Sequence, residues 1–150
     1  MSLLKIVTIP SPNLREKSLT LTKAEITKLS GLIKDMIETM YSSDGIGLAA
    51  PQIGKNIRLA TIGKEATPNN EDWVIINPKI IKHSWRQIIG EEGCLSVPGI
   101  NKDVSRYKKI TVKAVNQKGV AFTFEAEDFF ARVVQHEIDH LDGILIIDKE

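Results

Sequence analysis

Cysteine occurs once in the 150 residues, so no internal disulfide can form, and a lone thiol fits a reducing compartment. Charge of one sign is not in excess either. Twenty basic against nineteen acidic side chains leave a formal charge of +1, which argues against electrostatic capture of nucleic acid or of an anionic membrane surface. No apolar run approaches the roughly 20 residues needed to span a bilayer. The opening MSLLKIVTIPSP lacks the longer apolar run and cleavage site of a secretory signal, and it is too poor in Arg and Ser for a transit peptide. The expectation is a cytoplasmic protein with its N-terminus as encoded. Repeats, low-complexity tracts and linker-like runs are missing too. Residues 1–150 are therefore expected to form one domain, long enough to bury a core without disulfides.

What is present reads first as periodicity. Residues 1–10 suggest a short strand entering a loop with Pro10 and Pro12. Ile26, Leu29, Ile33, Met36, Ile37 and Met40 recur at spacings of three and four, predicting a helix from about Thr22 to Tyr41. Thr22 and Glu25 resemble a capping box at its start, and Gly31 within it costs about 1 kcal/mol relative to Ala. Strand-like segments follow at Ile57–Ile62, Trp73–Ile76, Lys79–Gln87, Lys109–Asn116 and Val120–Ala126, the last two joined by a turn at Asn116–Gly119. A second helix is expected from about Glu127 to Leu141, ended by Gly143. Helix, several strands, helix predicts an α+β fold with antiparallel sheet.

That second helix carries two of the three histidines, as His136-Glu137-x-x-His140. Residues four apart share a helix face, so both imidazoles can reach one ion, and Glu137 can reach a water on it without ligating. A helix bearing two solvated histidines is the bland alternative. Against it, Phe129, Phe130, Val133, Val134, Ile138 and Leu141 make the helix largely apolar, and imidazoles in buried surroundings need partners or a metal. The third histidine, His83, lies between Lys82 and Arg86 and reads as a surface residue.

A hydrolytic metal site needs three protein ligands and an open position. Only ten residues follow His140, so the third ligand is sought upstream. Cys94, in Glu-Glu-Gly-Cys-Leu-Ser-Val-Pro-Gly, is the best candidate, since a thiolate binds iron, zinc or cobalt well. A lone cysteine is more often a small buried hydrophobe. Here, though, Gly93 permits close backbone approach and Pro98–Gly99 bends the chain just after it. A third feature, Gly45-Ile-Gly-Leu-Ala-Ala-Pro-Gln52, has little side-chain bulk and ends in an amide. Phosphate binding there has no Gly-x-x-x-x-Gly-Lys-Ser/Thr to support it.

The three segments, Gly45–Gln52, Glu92–Ser96 and Gln135–His140, resemble in order and spacing the motifs of the bacterial peptide deformylases. Those enzymes remove the formyl group from the N-terminal methionine of new polypeptides. The resemblance covers nearly the whole chain and implies a metal helix packed against a partly open antiparallel sheet, with an N-terminal helix. It implies Cys94, His136 and His140 as metal ligands and Glu137 as general acid/base. Gln52 and the backbone N–H of Leu95 are implied as donors to the carbonyl oxygen. The implied ion is usually Fe(II), with zinc, nickel or cobalt able to substitute. The implied partners are N-formyl-methionyl nascent peptides, met near the ribosomal exit tunnel. An ion held this way lowers the pKa of a bound water from 15.7 to about 7, and Glu137 can accept its proton and return it to the departing amine.

Phe129 and Val133 share a helix face with His136 and are expected, with Ile46, to line a pocket for the methionine side chain. Extended substrate would pair its backbone with Ile46–Gly47 on one side and Gly93 on the other. Glu92 and Arg106 are expected to form a supporting ion pair. Two other readings keep part of these features: a general H-E-x-x-H peptidase, and a non-catalytic relative acting as a binding protein.

Overall fold

The computed structural model describes residues 3–149, so Met1 and Ser2 of the expected opening strand, and Glu150, lie outside the described residues. In chain order the elements are α1 (Lys23–Ile26), α2 (Ser30–Ser42), β1 (Gly47–Ala49), β2 (Leu59–Ile62), β3 (Trp73–His83), β4 (Gln87–Cys94), β5 (Val97–Tyr107), β6 (Lys109–Val115), β7 (Ala121–Glu127) and α3 (Asp128–Leu141). Five strands form one antiparallel sheet in the order β1-β2-β3-β6-β7. It is open at both edges. Strands β4 and β5 make a separate antiparallel hairpin. The α+β expectation is met. Among the described residues no helix is long and apolar enough to cross a membrane.

Several boundaries differ from the sequence reading, each for a local reason. Residues 3–10 are not a strand. Pro10 and Pro12 have no N–H to extend a ladder, and the segment is tied by single bonds, Val7 N–H to Gln52 O at 2.7 Å and Ile9 N–H to Ser96 O at 2.9 Å. The expected helix over 22–41 is two helices. The Thr22–Glu25 capping box starts α1. The helix then stops because the Thr27 hydroxyl bonds back to Ala24 O at 2.8 Å and the next N–H groups make tight three-residue bonds. The segments 73–76 and 79–87 are instead one strand, β3, bulged at Asn77–Pro78 and ending at His83. Asn77 takes the left-handed conformation there, and its side chain holds both the N–H and the carbonyl of Leu21 at 2.9 Å. His83 is exposed, as expected, and stacks on Tyr107.

The β4–β5 hairpin and the three-residue β1 had no strand signal. The inward face of β4–β5 carries Gly90, Glu92, Lys102 and Arg106 beside Ile88 and Val104, so burial alternates along the strands while hydrophobicity does not. By contrast β6 and β7 pair from Lys109↔Glu127 to Val115↔Ala121, and the Asn116 side chain accepts from Lys118 N–H and Val120 N–H to close their turn.

The main core lies between the sheet and α3. Phe130, Ala131, Val134, Ile138 and Leu141, at helical spacing, pack on Ile62, Ile75, Ile110, Val112 and Phe124 from the strands. A second cluster joins α2 (Ile33, Met36, Met40) to Leu48 and Leu59. A third, small one sets Leu14 against Val97 and Leu145. Helix α3 is thus clamped between the sheet and the hairpin, with its two histidines along the seam.

Candidate metal centre

Helix α3 ends with Asp142 as C-cap and Gly143 at φ 76°, where a Cβ would fall 2.5 Å from Arg15 O. That close approach fixes the last turn, which carries His140. The two imidazoles, one turn apart, bring their Nε2 atoms to 3.1 Å, and Cys94 Sγ lies 3.3 Å from His140 Nε2. The ligand atoms of Cys94, His136 and His140 all fall within 4.8 Å of one another. The expected third ligand is therefore brought from the end of β4 to the helix.

Burial disfavours the charged form of His136, but hydrogen bonds with Cys94 and Glu92 outweigh it and push its pKa up to about 10. Burial and the His136 charge together hold His140 well below its ordinary value. At least one imidazole is thus neutral, as a ligand must be. His140 Nδ1 and Glu137 Oε1 are buried with no hydrogen-bond partner among the described residues. Two imidazoles and a thiol converging on one point, with an orphaned carboxylate beside them, fit a borderline-soft divalent ion.

Glu137 is 3% exposed. Burial pushes its carboxyl up to about 7, against the opposing pull of the His136 charge. It lies against β1 at Gly47, where a Cβ would stand 2.5 Å from Glu137 Oε2. The second glycine of the Gly45–Gln52 segment is therefore required by the helix facing it. The first makes room for Leu95, whose Cδ1 would lie 2.9 Å from a Cβ on Gly45. Gln52 ends that segment in a buried position. Its Oε1 accepts from Ala49 N–H at 3.0 Å, and its Nε2 donates to Ser96 Oγ at 3.2 Å and lies 3.7 Å from Cys94 Sγ. Leu95 occupies the turn between β4 and β5.

These groups surround a cavity of about 500 Å³. Ile46, Gly47, Gly93, Phe129 and Val133, all named from the sequence as substrate-binding, line it, as do Gln52, Leu95, Cys94, His136 and Glu137. His140 lies behind them, 1% exposed. Phe129 is about half exposed at the rim, so it is not a core residue.

The expected Glu92–Arg106 ion pair is present and belongs to a larger network. Glu92 accepts from Arg106 Nη2 at 2.8 Å and Nε at 2.9 Å, from Arg132 Nη1 at 2.6 Å, and is 2.8 Å from His136 Nδ1. Burial works against its ionisation, yet the bonds with Arg106 and His136 hold its carboxyl well below the usual carboxylate range. The contact fixes His136 so that Nε2, not Nδ1, faces the other ligands. Arg106 also pairs with Asp139 of α3. Arg132, Asp139 and Ser96 had no assigned role from the sequence. For Arg132 and Asp139 the available signal was position, since they sit four before and three after His136 on one helix face.

The family model described as polypeptide deformylase matches residues 3–150. The peptide deformylase of Pseudothermotoga lettingae is 47% identical over 144 residues, covering 96% of this chain and 81% of that one. The crystal structure of the peptide deformylase from Thermotoga maritima shares the backbone at a TM-score of 0.92 with 40% identity, over 99% of this chain and 98% of that one. A class I type b peptide deformylase from Acinetobacter baumannii, solved with Met-Ala-Ser bound, gives a TM-score of 0.94 at 30% identity over 99% of each chain. Agreement in sequence and in backbone along nearly the whole length means that this chain belongs to the polypeptide deformylase family, metal-dependent hydrolases of protein biosynthesis.

Proposed function

We propose that the protein hydrolyses the formyl group from the N-terminal methionine of nascent peptides, releasing formate, as a single catalytic domain in a bacterial cytoplasm. The observation that carries this reading is the convergence of Cys94, His136 and His140 beside the buried Glu137, whose Oε1 has no hydrogen-bond partner, at the wall of an open cavity. Those three residues would hold the ion. Fe(II) is the proposed native metal, on the family resemblance, and a thiolate–imidazole set also accepts zinc, nickel or cobalt. When bound, a divalent ion supplies Lewis acidity that makes a water nucleophilic at neutral pH and polarises a carbonyl.

Glu137 takes the proton of the attacking water and returns it to the departing amine. Its elevated pKa in a buried setting suits a group that must both accept and donate. As the formyl oxygen gains charge, the Gln52 amide and the Leu95 N–H stabilise it, each such donor contributing on the order of 3 kcal/mol. Gln52 is aimed by its two fixed partners, Ala49 N–H and Ser96 Oγ. The methionine side chain enters between Ile46, Phe129 and Val133, and the peptide backbone runs between Ile46–Gly47 and Gly93 as an added strand. The Met-Ala-Ser complex of the Acinetobacter baumannii enzyme supports a peptide of this kind. The enzyme would meet its substrate near the ribosomal exit.

The test is formate release from formyl-Met-Ala-Ser by protein loaded anaerobically with Fe(II), beside Glu137→Ala. The expected outcome is rapid release by the parent and a loss of about 10²–10⁴-fold in the variant with metal retained. Cleavage of unformylated peptides instead, with formate absent, would point to a general peptidase.

A further inference from the structure

We infer that Arg132 is a positioning residue, clamping the β4–β5 hairpin to α3 and so setting how Cys94 meets His136 and His140. The inference rests on the reading that these three residues hold a metal.

The hairpin is its own sheet, and the strand that delivers Cys94 has little apolar anchorage before it. Beyond Cys94, Val97 is packed with Leu14 and Leu145. Between Gln87 and Gly93 the one buried side chain is the charged Glu92. The hairpin's hydrogen bonds and ion pairs with α3 come from residues spaced along one helix face. Gln135 holds the N–H and carbonyl of Tyr107 at 3.0 and 2.9 Å, His136 meets Glu92, and Asp139 meets Arg106.

Arg132 differs from these in gripping the main chain of both strands. Its Nη2 donates to Ile88 O at 2.7 Å on β4, and its Nη1 donates to Val104 O at 2.9 Å on β5 and to Glu92 Oε2 at 2.6 Å. The guanidinium lies against bare backbone at Gly90, where a Cβ would come within 2.9 Å of its Cζ. The side chain is 13% exposed. A planar fork with five donors can satisfy two carbonyls and a carboxylate at once, whereas a lysine ammonium at that distance cannot span them. Cys94 is four residues beyond Gly90 on the same strand. A shift of β4 against α3 therefore moves the sulfur away from the two imidazoles and loosens Glu92, which orients His136. Groups that support metal ligands in this way typically change affinity 10- to 100-fold when removed.

The test uses the full chain loaded with Co(II), whose thiolate-to-cobalt absorption in the near ultraviolet reports Cys94 directly. Arg132→Lys, Arg132→Met and Gly90→Ala are compared with the parent and with Cys94→Ser. The readouts are the band, the rate of cobalt transfer to a chelator, and amide hydrogen exchange. Both Arg132 variants are expected to release cobalt about tenfold faster or more. Their band should weaken, and exchange should rise in 88–94 and 101–107 but not in β6–β7. Gly90→Ala keeps the arginine but displaces it, and should move all three readouts the same way. If Arg132→Met does not fold, the other two variants carry the same test. Cobalt release, band and exchange equal to the parent's in folded Arg132 variants would overturn the clamp. A parent with no thiolate band, and cobalt release unaffected by Cys94→Ser, would instead overturn the metal assignment beneath it.

Discussion

At the residue scale the geometry turns on the contact between Gly47 and Glu137. A carboxylate in the proposed acid/base role needs a fixed place, and here the place is made by leaving out a side chain on the strand opposite. Gly47→Ala would put a methyl 2.5 Å from Glu137 Oε2, a separation that forces one of them to move. The three heavy atoms nearest that methyl all belong to Glu137, not to the proposed ligands Cys94, His136 and His140. The expected outcome is a fall in kcat of about 10²-fold, the usual cost of misplacing a reacting group by an ångström, with metal content unchanged. Parallel formate assays and metal analysis check it. Equal loss of metal and activity would mean that the substitution disturbs α3 as a whole.

At the element scale, α3 carries two different faces. Its apolar face is fixed by the sheet, and its polar face, Arg132 through Asp139, is fixed by the hairpin. Helix α2 has a simpler task, covering β1 and β2, and its sequence is not optimised for it. Gly31 is exposed in the first turn, and a Cβ there would meet nothing within 4 Å. Gly31→Ala should therefore raise stability by up to about 1 kcal/mol by reducing the freedom of the unfolded chain. Urea unfolding would measure it, with formate release unaltered because α2 lies outside the cavity lining. A destabilised variant would show that α2 begins later in solution.

At the scale of the whole molecule, chain segments far apart in sequence are joined beside the third cluster. Arg15 pairs with Asp148, which also accepts from Leu145 N–H at 2.8 Å. The Arg15 hydrogen bond holds the Asp148 carboxyl below its ordinary value. A carboxyl depressed on folding adds stability above its unfolded pKa of about 3.9, and that contribution is lost as pH falls through the lower folded value. The pair is partly exposed, so Asp148→Asn should cost no more than about 1 kcal/mol at pH 7. The difference should vanish in acid. Thermal melts of metal-free protein at pH 7 and in acid would show it, and a difference that persists in acid would assign the effect to the Leu145 cap instead.

The amino-acid order alone specifies the motif residues that the cavity gathers and the elements with strong periodicity. His136, Glu137 and His140 were legible because an α-helix converts a spacing of four into one face. Helix α3 was legible because its apolar residues recur at helical spacing, and the β6–β7 hairpin because one side of it is buried and the other is not. The short local choices were not. The break at Thr27 depends on one hydroxyl, and the inward face of the β4–β5 hairpin mixes apolar, glycine and charged residues, so its hydrophobicity shows no strand period. Only the tertiary structure decided which partners these residues meet: that β4 brings Cys94 to the helix, that Glu92 is shared by two arginines and His136, and that Arg132 spans both strands. The physical reason is that periodicity records how much of a face is buried, whereas a polar contact across elements depends on where two backbones come to rest.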